Sequence, residues 1–218
     1  MEVIDIGSWN AYDQAMGAAK KAILADEAVV LPTDTLYGLC ASSLSKKALD
    51  NMVGIKRERE HKPIAVIVSD LRMMRKYCEV PDKVAVFLQQ LMPGPVTVIL
   101  KKKYEFPEAI TKTDKVGVRI PHYIFTTKLV SGLGFPLAAT SANVSGEQAP
   151  NNVSELDERV SERVAVVVDG GPTRWKRGST VIDFTLEKPK ILREGAQNVF
   201  VSQLLEDYAS WEPPTPIQ

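Results

Sequence analysis

The sequence predicts an α/β domain. Short runs of β-branched and aliphatic residues end in polar turns, and stretches with helical spacing separate them. One run, Val164 to Val168, consists of valine and alanine alone, as expected inside a sheet covered on both faces.

The chain is organised around Val29-Val30-Leu31-Pro32-Thr33-Asp34-Thr35-Leu36-Tyr37-Gly38-Leu39. Val29 to Leu31 reads as a buried strand, and Pro32 stops its ladder because it has no N–H to donate. Ligands of α/β folds collect beyond the carboxyl ends of strands, where this polar run stands. Threonine, aspartate and glycine are also turn formers, so spacing alone leaves site and turn both open.

Upstream, Tyr12, Ala15, Met16, Ala19, Ile23 and Leu24 fall on one helical face between Ser8, a candidate N-cap, and Ala25. Downstream, Ser45 caps a second helix with Leu49, Met52 and Val53 on one face and Lys56, Arg57 and Arg59 at its end. Lys62-Pro63 breaks it, and Ile64 to Val68 reads as a strand. Cations are favoured at a helix C-terminus whether or not they bind a ligand. Helices follow over Asp70 to Tyr77 and Asp82 to Leu91, and Pro93-Gly94-Pro95 turns the chain into a strand from Val96 to Leu100.

In the strand Val116 to Ile120 the apolar residues alternate with Gly117 and Arg119, which sends Arg119 to the other face. There it suits a carboxylate or phosphate, or equally a structural ion pair. After a helix over Ile124 to Val130, the strand Pro136 to Ala139 opens into Thr140-Ser141-Ala142-Asn143-Val144-Ser145-Gly146, a phosphate-binding surface or a set of side-chain turns. Val164 to Val168 empties into Asp169-Gly170-Gly171-Pro172 and the basic loop Arg174-Trp175-Lys176-Arg177-Gly178, a candidate mobile lid. A short strand ends at Ile191 to Gly195, a final helix covers Val201 to Ala209, and 211–218 form a Pro-rich tail expected to be mobile. The expected domain is therefore 1–210. Neither glycine-rich nucleotide fingerprint is present, so a nucleotide would be held by another design.

The chain has 218 residues, 44% hydrophobic and 25% charged, and is long enough to bury a substantial core. Lys+Arg 27 balances Asp+Glu 27, so any anion site must be local. Cys40 and Cys78 match no zinc spacing or disulfide framework, and reduced thiols are expected. The first eight residues lack the features of a signal peptide, and no apolar run approaches the roughly 18 residues of a membrane span. The expectation is a cytoplasmic protein with no membrane partner.

Pro32-Thr33-Asp34-Thr35-Leu36-Tyr37-Gly38, Lys62-Pro63, Pro93-Gly94-Pro95-Val96-Thr97, Arg119-Ile120-Pro121, Thr140-Ser141-Ala142-Asn143, Ser179-Thr180-Val181 and Leu192-Arg193-Glu194-Gly195 closely resemble, as an ordered set, the YrdC family. The resemblance implies a twisted mixed sheet flanked by helices around a deep, cationic concave site. It also implies a threonylcarbamoyl-AMP synthase that joins L-threonine, bicarbonate or CO2, and ATP with its Mg2+. Pyrophosphate would leave, and the product would pass to a tRNA threonylcarbamoyl transferase complex. By resemblance, Thr35, Arg119, Ala139 and Ser179 hold threonine. Lys56, Arg59, Lys62, Lys115, Ser141, Asn143 and Arg193 contact ATP, and Lys56 and Arg119 are the catalytic pair, with no protein metal ligand. One departure stands out: Glu58 occupies the position of the arginine in the family's Lys-x-Arg motif, between Arg57 and Arg59. The chain resembles a single-domain member, without the linker and second domain of larger relatives. Two other readings stay open: an RNA-binding module using the same concavity, and a YrdC-like protein with another substrate.

Overall fold

The computed structural model describes residues 1–57 and 62–210. Its elements are β1 (Glu2–Asp5), α1 (Trp9–Leu24), β2 (Val29–Leu31), β3 (Gly38–Ser42), α2 (Lys46–Lys56), β4 (Ala65–Ile67), α3 (Leu71–Tyr77), α4 (Asp82–Leu91), β5 (Val96–Lys101) and β6 (Lys115–Arg119). They continue with α5 (Ile124–Leu133), β7 (Leu137–Ser141), a 3-10 turn (Val153–Glu155), α6 (Glu158–Ser161), β8 (Val166–Asp169), β9 (Thr180–Asp183), β10 (Lys190–Arg193) and α7 (Asn198–Ser210). The strands form one mixed sheet in the order β1-β8-β2-β3-β7-β4-β6-β5-β9-β10.

Helices α1 and α2 begin where the sequence places their caps, and Asp70, expected as the first residue of a helix, is the cap of α3. Ser8 Oγ accepts from the Ala11 amide, Ser45 Oγ from Ala48 and the Asp70 carboxylate from Met73, each satisfying an orphan donor of the first turn. Helix α5 runs three residues past the expected Val130, because Gly134, at φ +77°, is the residue that takes the left-handed cap. Helix α2 stops at Lys56 with Arg57 in a left-handed conformation, ahead of Lys62-Pro63.

Strands β1, β3 and β9 are additions to the sequence reading. In β1 only Ile4 is buried, and its strand geometry comes from parallel pairing with β8. In β3 the residues Gly-Leu-Cys-Ala-Ser have mostly weak strand propensity, yet all five are buried between β2 and β7. Thr140 and Ser141 extend β7 instead of opening a loop.

Alternation along the strands divides the apolar residues into two layers. Val30, Leu39, Ala41, Ala138, Val66 and Val118 share a core with α2, α3, α4 and α7. Val29, Leu31, Cys40, Leu137, Val166 and Val168 share the other with α1 and α5. On that second face the apolar cover reaches Ile67 of β4. Beyond it the same face carries Gly117 and Arg119 of β6, Thr97 and Ile99 of β5, and Val181 and Asp183 of β9, in register with one another and open to a cavity. The half of the sheet that α1 and α5 leave uncovered is the floor of the site.

Candidate active site

Two adjoining cavities occupy this region, one of about 460 Å³ and one of about 880 Å³. Pro63, Ile64, Thr140, Ser141 and Arg193 belong to the walls of both, so they form a continuous trough.

The Thr-Asp-Thr run divides its labour. Thr33 makes the turn: its Oγ1 accepts from the amides of Thr35 (3.1 Å) and Leu36 (3.3 Å) and donates to the Leu36 carbonyl (2.7 Å). Asp34 and Thr35 turn toward Arg119. Arg119 Nη1 donates to Thr35 Oγ1 at 2.7 Å, and Nη2 forms an ion pair with the Asp34 carboxylate. The pair is buried, with side-chain exposures of 11% for Arg119 and 2% for Asp34. Burial lowers the Arg119 pKa from its ordinary value, and the neighbouring Asp34 charge opposes that shift. Arg119 is thus a structural ion-pair partner, one of the two sequence readings, and it also forms part of the cavity wall.

Ser179 stands across the floor. Its Oγ lies 2.8 Å from Thr97 Oγ1 and accepts from Arg193 Nη2 at 3.1 Å, while its carbonyl accepts from Arg193 Nε and Nη2. Ala139 lines the same cavity. A Cβ at Gly117 would lie 3.4 Å from Ala65 Cβ and Thr97 Cγ2, so its absence keeps the floor low between them. Lys115, expected near a nucleotide, lies in this first cavity and pairs with Asp183 at 3.6 Å.

Lys46, Lys56, Lys62, Lys112 and Arg193 line the second cavity together with Ser141 and Asn143. Lys56 is buried, and its Nζ donates to the Ser141 carbonyl (2.9 Å) and to Asn143 Oδ1 (3.2 Å). Ser141 Oγ donates to the same Asn143 oxygen at 2.5 Å, and Asn143 Nδ2 donates to the carbonyls of Val144 and Glu147. Lys56 therefore braces the Ser-Ala-Asn segment at the cavity wall. Arg59 and Glu58, on which the Lys-x-Arg departure turns, lie outside the described residues, as does the tail 211–218.

The basic loop is stitched to the Thr-Asp-Thr run. Thr173 Oγ1 donates to the Thr35 carbonyl at 2.7 Å, and the Trp175 amide to that of Asp34 at 3.1 Å. At the loop's base Tyr37 Oη donates to the Gly171 carbonyl (2.7 Å) and accepts from the Gly170 amide (3.1 Å). Beyond Trp175 the loop is tied back as well: Arg177 Nη2 donates to the Glu194 carbonyl (3.3 Å), and the Gly178 carbonyl accepts from the Ala196 amide (2.9 Å).

Asp34, Thr97 and Asp183 were not singled out as site residues from sequence. Parity carries the signal for two of them: Thr97 alternates with buried Val96 and Val98, and Asp183 stands two positions from Val181 on the cavity face.

A family model described as "Telomere recombination", covering Sua5, YciO and YrdC proteins, matches residues 21–195. The chain belongs to the Sua5/YciO/YrdC family. A relative from Methanocaldococcus jannaschii is 38% identical over 176 residues, covering 81% of this chain and 83% of its own. The Bos taurus relative, named threonylcarbamoyl-AMP synthase, is 34% identical over 212 residues, 93% of this chain and 74% of its own. Among solved structures, Pyrococcus abyssi Sua5 complexed with L-threonine superposes with a TM-score of 0.81 at 29% identity, over 89% of this chain. This chain spans 58% of that one. Escherichia coli YciO has a TM-score of 0.75 at 25% identity, covering 89% of this chain and 93% of its own. In this Sua5/YciO/YrdC protein no helix among the described residues is long and apolar enough to cross a membrane.

Proposed function

We propose that this Sua5/YciO/YrdC protein is a nucleotidyltransferase, a threonylcarbamoyl-AMP synthase. It condenses L-threonine, bicarbonate or CO2, and ATP, and supplies the product for tRNA modification. The observation that carries the reading is the trough itself. A compact cavity holding Thr35, Arg119, Ala139 and Ser179 opens through Ser141 and Arg193 into a larger one walled by lysines. The name of the bovine relative and the threonine complex of the P. abyssi protein support it.

The chemistry fits these residues. The threonine amine attacks bicarbonate carbon and its surplus proton leaves with the displaced hydroxide as water, or it adds to CO2 and that proton goes to solvent; either way a carbamate forms. A carbamate oxygen then attacks the α-phosphorus of ATP, and the bond to the β-phosphate oxygen breaks as pyrophosphate departs. The substrate supplies its own nucleophile, so the protein's task is to position two anions and neutralise their charge. Arg119 and Thr35 hold the amino acid on the floor. Lys62, Arg193 and the Ser141–Asn143 segment braced by Lys56 receive the phosphates across the shared wall. Mg2+ would be supplied with ATP and would share with these cations the neutralisation of its phosphate charge.

Purified protein given ATP, Mg2+, threonine and bicarbonate is expected to release pyrophosphate only when threonine and bicarbonate are both present. Release that ignores threonine would overturn the assignment, and release with another amino acid in its place would move the protein to a different substrate.

A further inference from the structure

The hydroxyls of Thr97, in β5, and Ser179, the residue before β9, stand 2.8 Å apart, both residues buried and both on the floor of the first cavity. Two hydroxyls carry two hydrogens, and a bond between them uses one. Arg193 Nη2 donates to Ser179 Oγ, which fills a lone pair there and consumes neither hydrogen. Among the described residues neither hydroxyl has a further hydrogen-bond partner. One hydrogen is therefore left over, on a surface that faces the ligand space. A hydroxyl that accepts from a guanidinium is a better donor in turn, so Ser179 donates to Thr97 and the surplus hydrogen resides on Thr97.

We propose that Thr97 and Ser179 act as a single hydrogen-bond donor to an oxygen of the bound amino acid, Thr97 presenting the hydrogen and Arg193 setting its direction through Ser179. This rests on the threonine reading above and adds a substrate-contacting residue to it. It also ties Arg193, at the wall shared with the phosphate-side cavity, to the amino-acid subsite.

Thr97→Val keeps shape and strand preference but removes one hydroxyl, whereupon Ser179 loses its acceptor and its own hydrogen becomes free. Ser179→Ala leaves Thr97 free to donate. Each single variant keeps one donor, and only the double variant has none.

The test is threonine affinity by calorimetry, together with KM for threonine, in wild type, T97V, S179A, the double variant and T97S, with thermal unfolding as a control for folding. Each single change is expected to weaken threonine by no more than about 3-fold. The double change should weaken it by about 10- to 100-fold, more than the product of the singles, as for one lost bond to a charged or polar oxygen. T97S should stay near wild type. Singles whose effects multiply to give the double, or a T97V variant that already shows the full loss, would overturn the proposal. Absence of threonine binding by the wild type would instead count against the substrate assignment, which separates the two failures.

Discussion

Replacing Asp34 with asparagine tests the ion pair that fixes Arg119. The substitution keeps the size of the side chain and an acceptor oxygen, but it strands the guanidinium charge where only 11% of the side chain is exposed. Removing one partner of a buried pair costs about 3–5 kcal/mol, most of it the orphaned charge. Because Arg119 borders an open cavity, water relieves part of that cost, and the lower end, about 3 kcal/mol, is expected. In a chain of 218 residues this corresponds to a fall in Tm of about 6–12 °C. Urea unfolding with matched m-values measures it directly. The double variant D34N/R119M, which removes the stranded charge as well, should be more stable than D34N alone. A D34N variant within about 1 kcal/mol of wild type, or a double variant less stable than D34N, would refute the view that a buried charge pair holds the floor of the site.

Gly170→Ala should destabilise the protein by about 1–3 kcal/mol and weaken threonine binding, because the new Cβ would fall 1.9 Å from Tyr123 Oη and push the loop off the Thr-Asp-Thr run. Equilibrium unfolding and calorimetry check both, and full retention of either would refute it. Burial pushes the Cys40 and Cys78 thiols from 9.0 up to about 12. Above pH 9 the unfolded chain therefore sheds thiol protons that the folded chain keeps, and stability falls as pH rises from 9 toward 12, by up to about 1.4 kcal/mol per pH unit for each thiol. A Cys78→Ser variant should lose stability less steeply over that window than wild type, and both native thiols should resist a thiol-specific reagent until the protein unfolds.

Much of the architecture was readable from local chemistry. Ser8 and Ser45 cap helices where their side chains announced it, and the parity of Val116, Val118 and Arg119 placed the arginine on the face opposite the apolar core. What the sequence did not disclose comes from long-range pairing. β1 has one buried residue and β3 is built of small ones, so each owes its strand to its neighbours. The site shows the same division. Thr35, Arg119, Ala139 and Ser179 do line one cavity, and Lys56, Lys62, Ser141 and Asn143 the next. That Asp34 neutralises Arg119, that Lys56 braces the Ser-Ala-Asn segment, and that Thr97 meets Ser179, 82 residues further on, could not be read from spacing.

The most direct test is to incubate the protein with ATP, Mg2+, L-threonine and isotopically labelled bicarbonate and examine the nucleotide products by mass spectrometry. The expected result is a threonylcarbamoyl adenylate carrying the label in its carbamoyl carbon, formed in step with pyrophosphate. An adenylate without the label, or labelled bicarbonate recovered unchanged while ATP is consumed, would contradict the assignment.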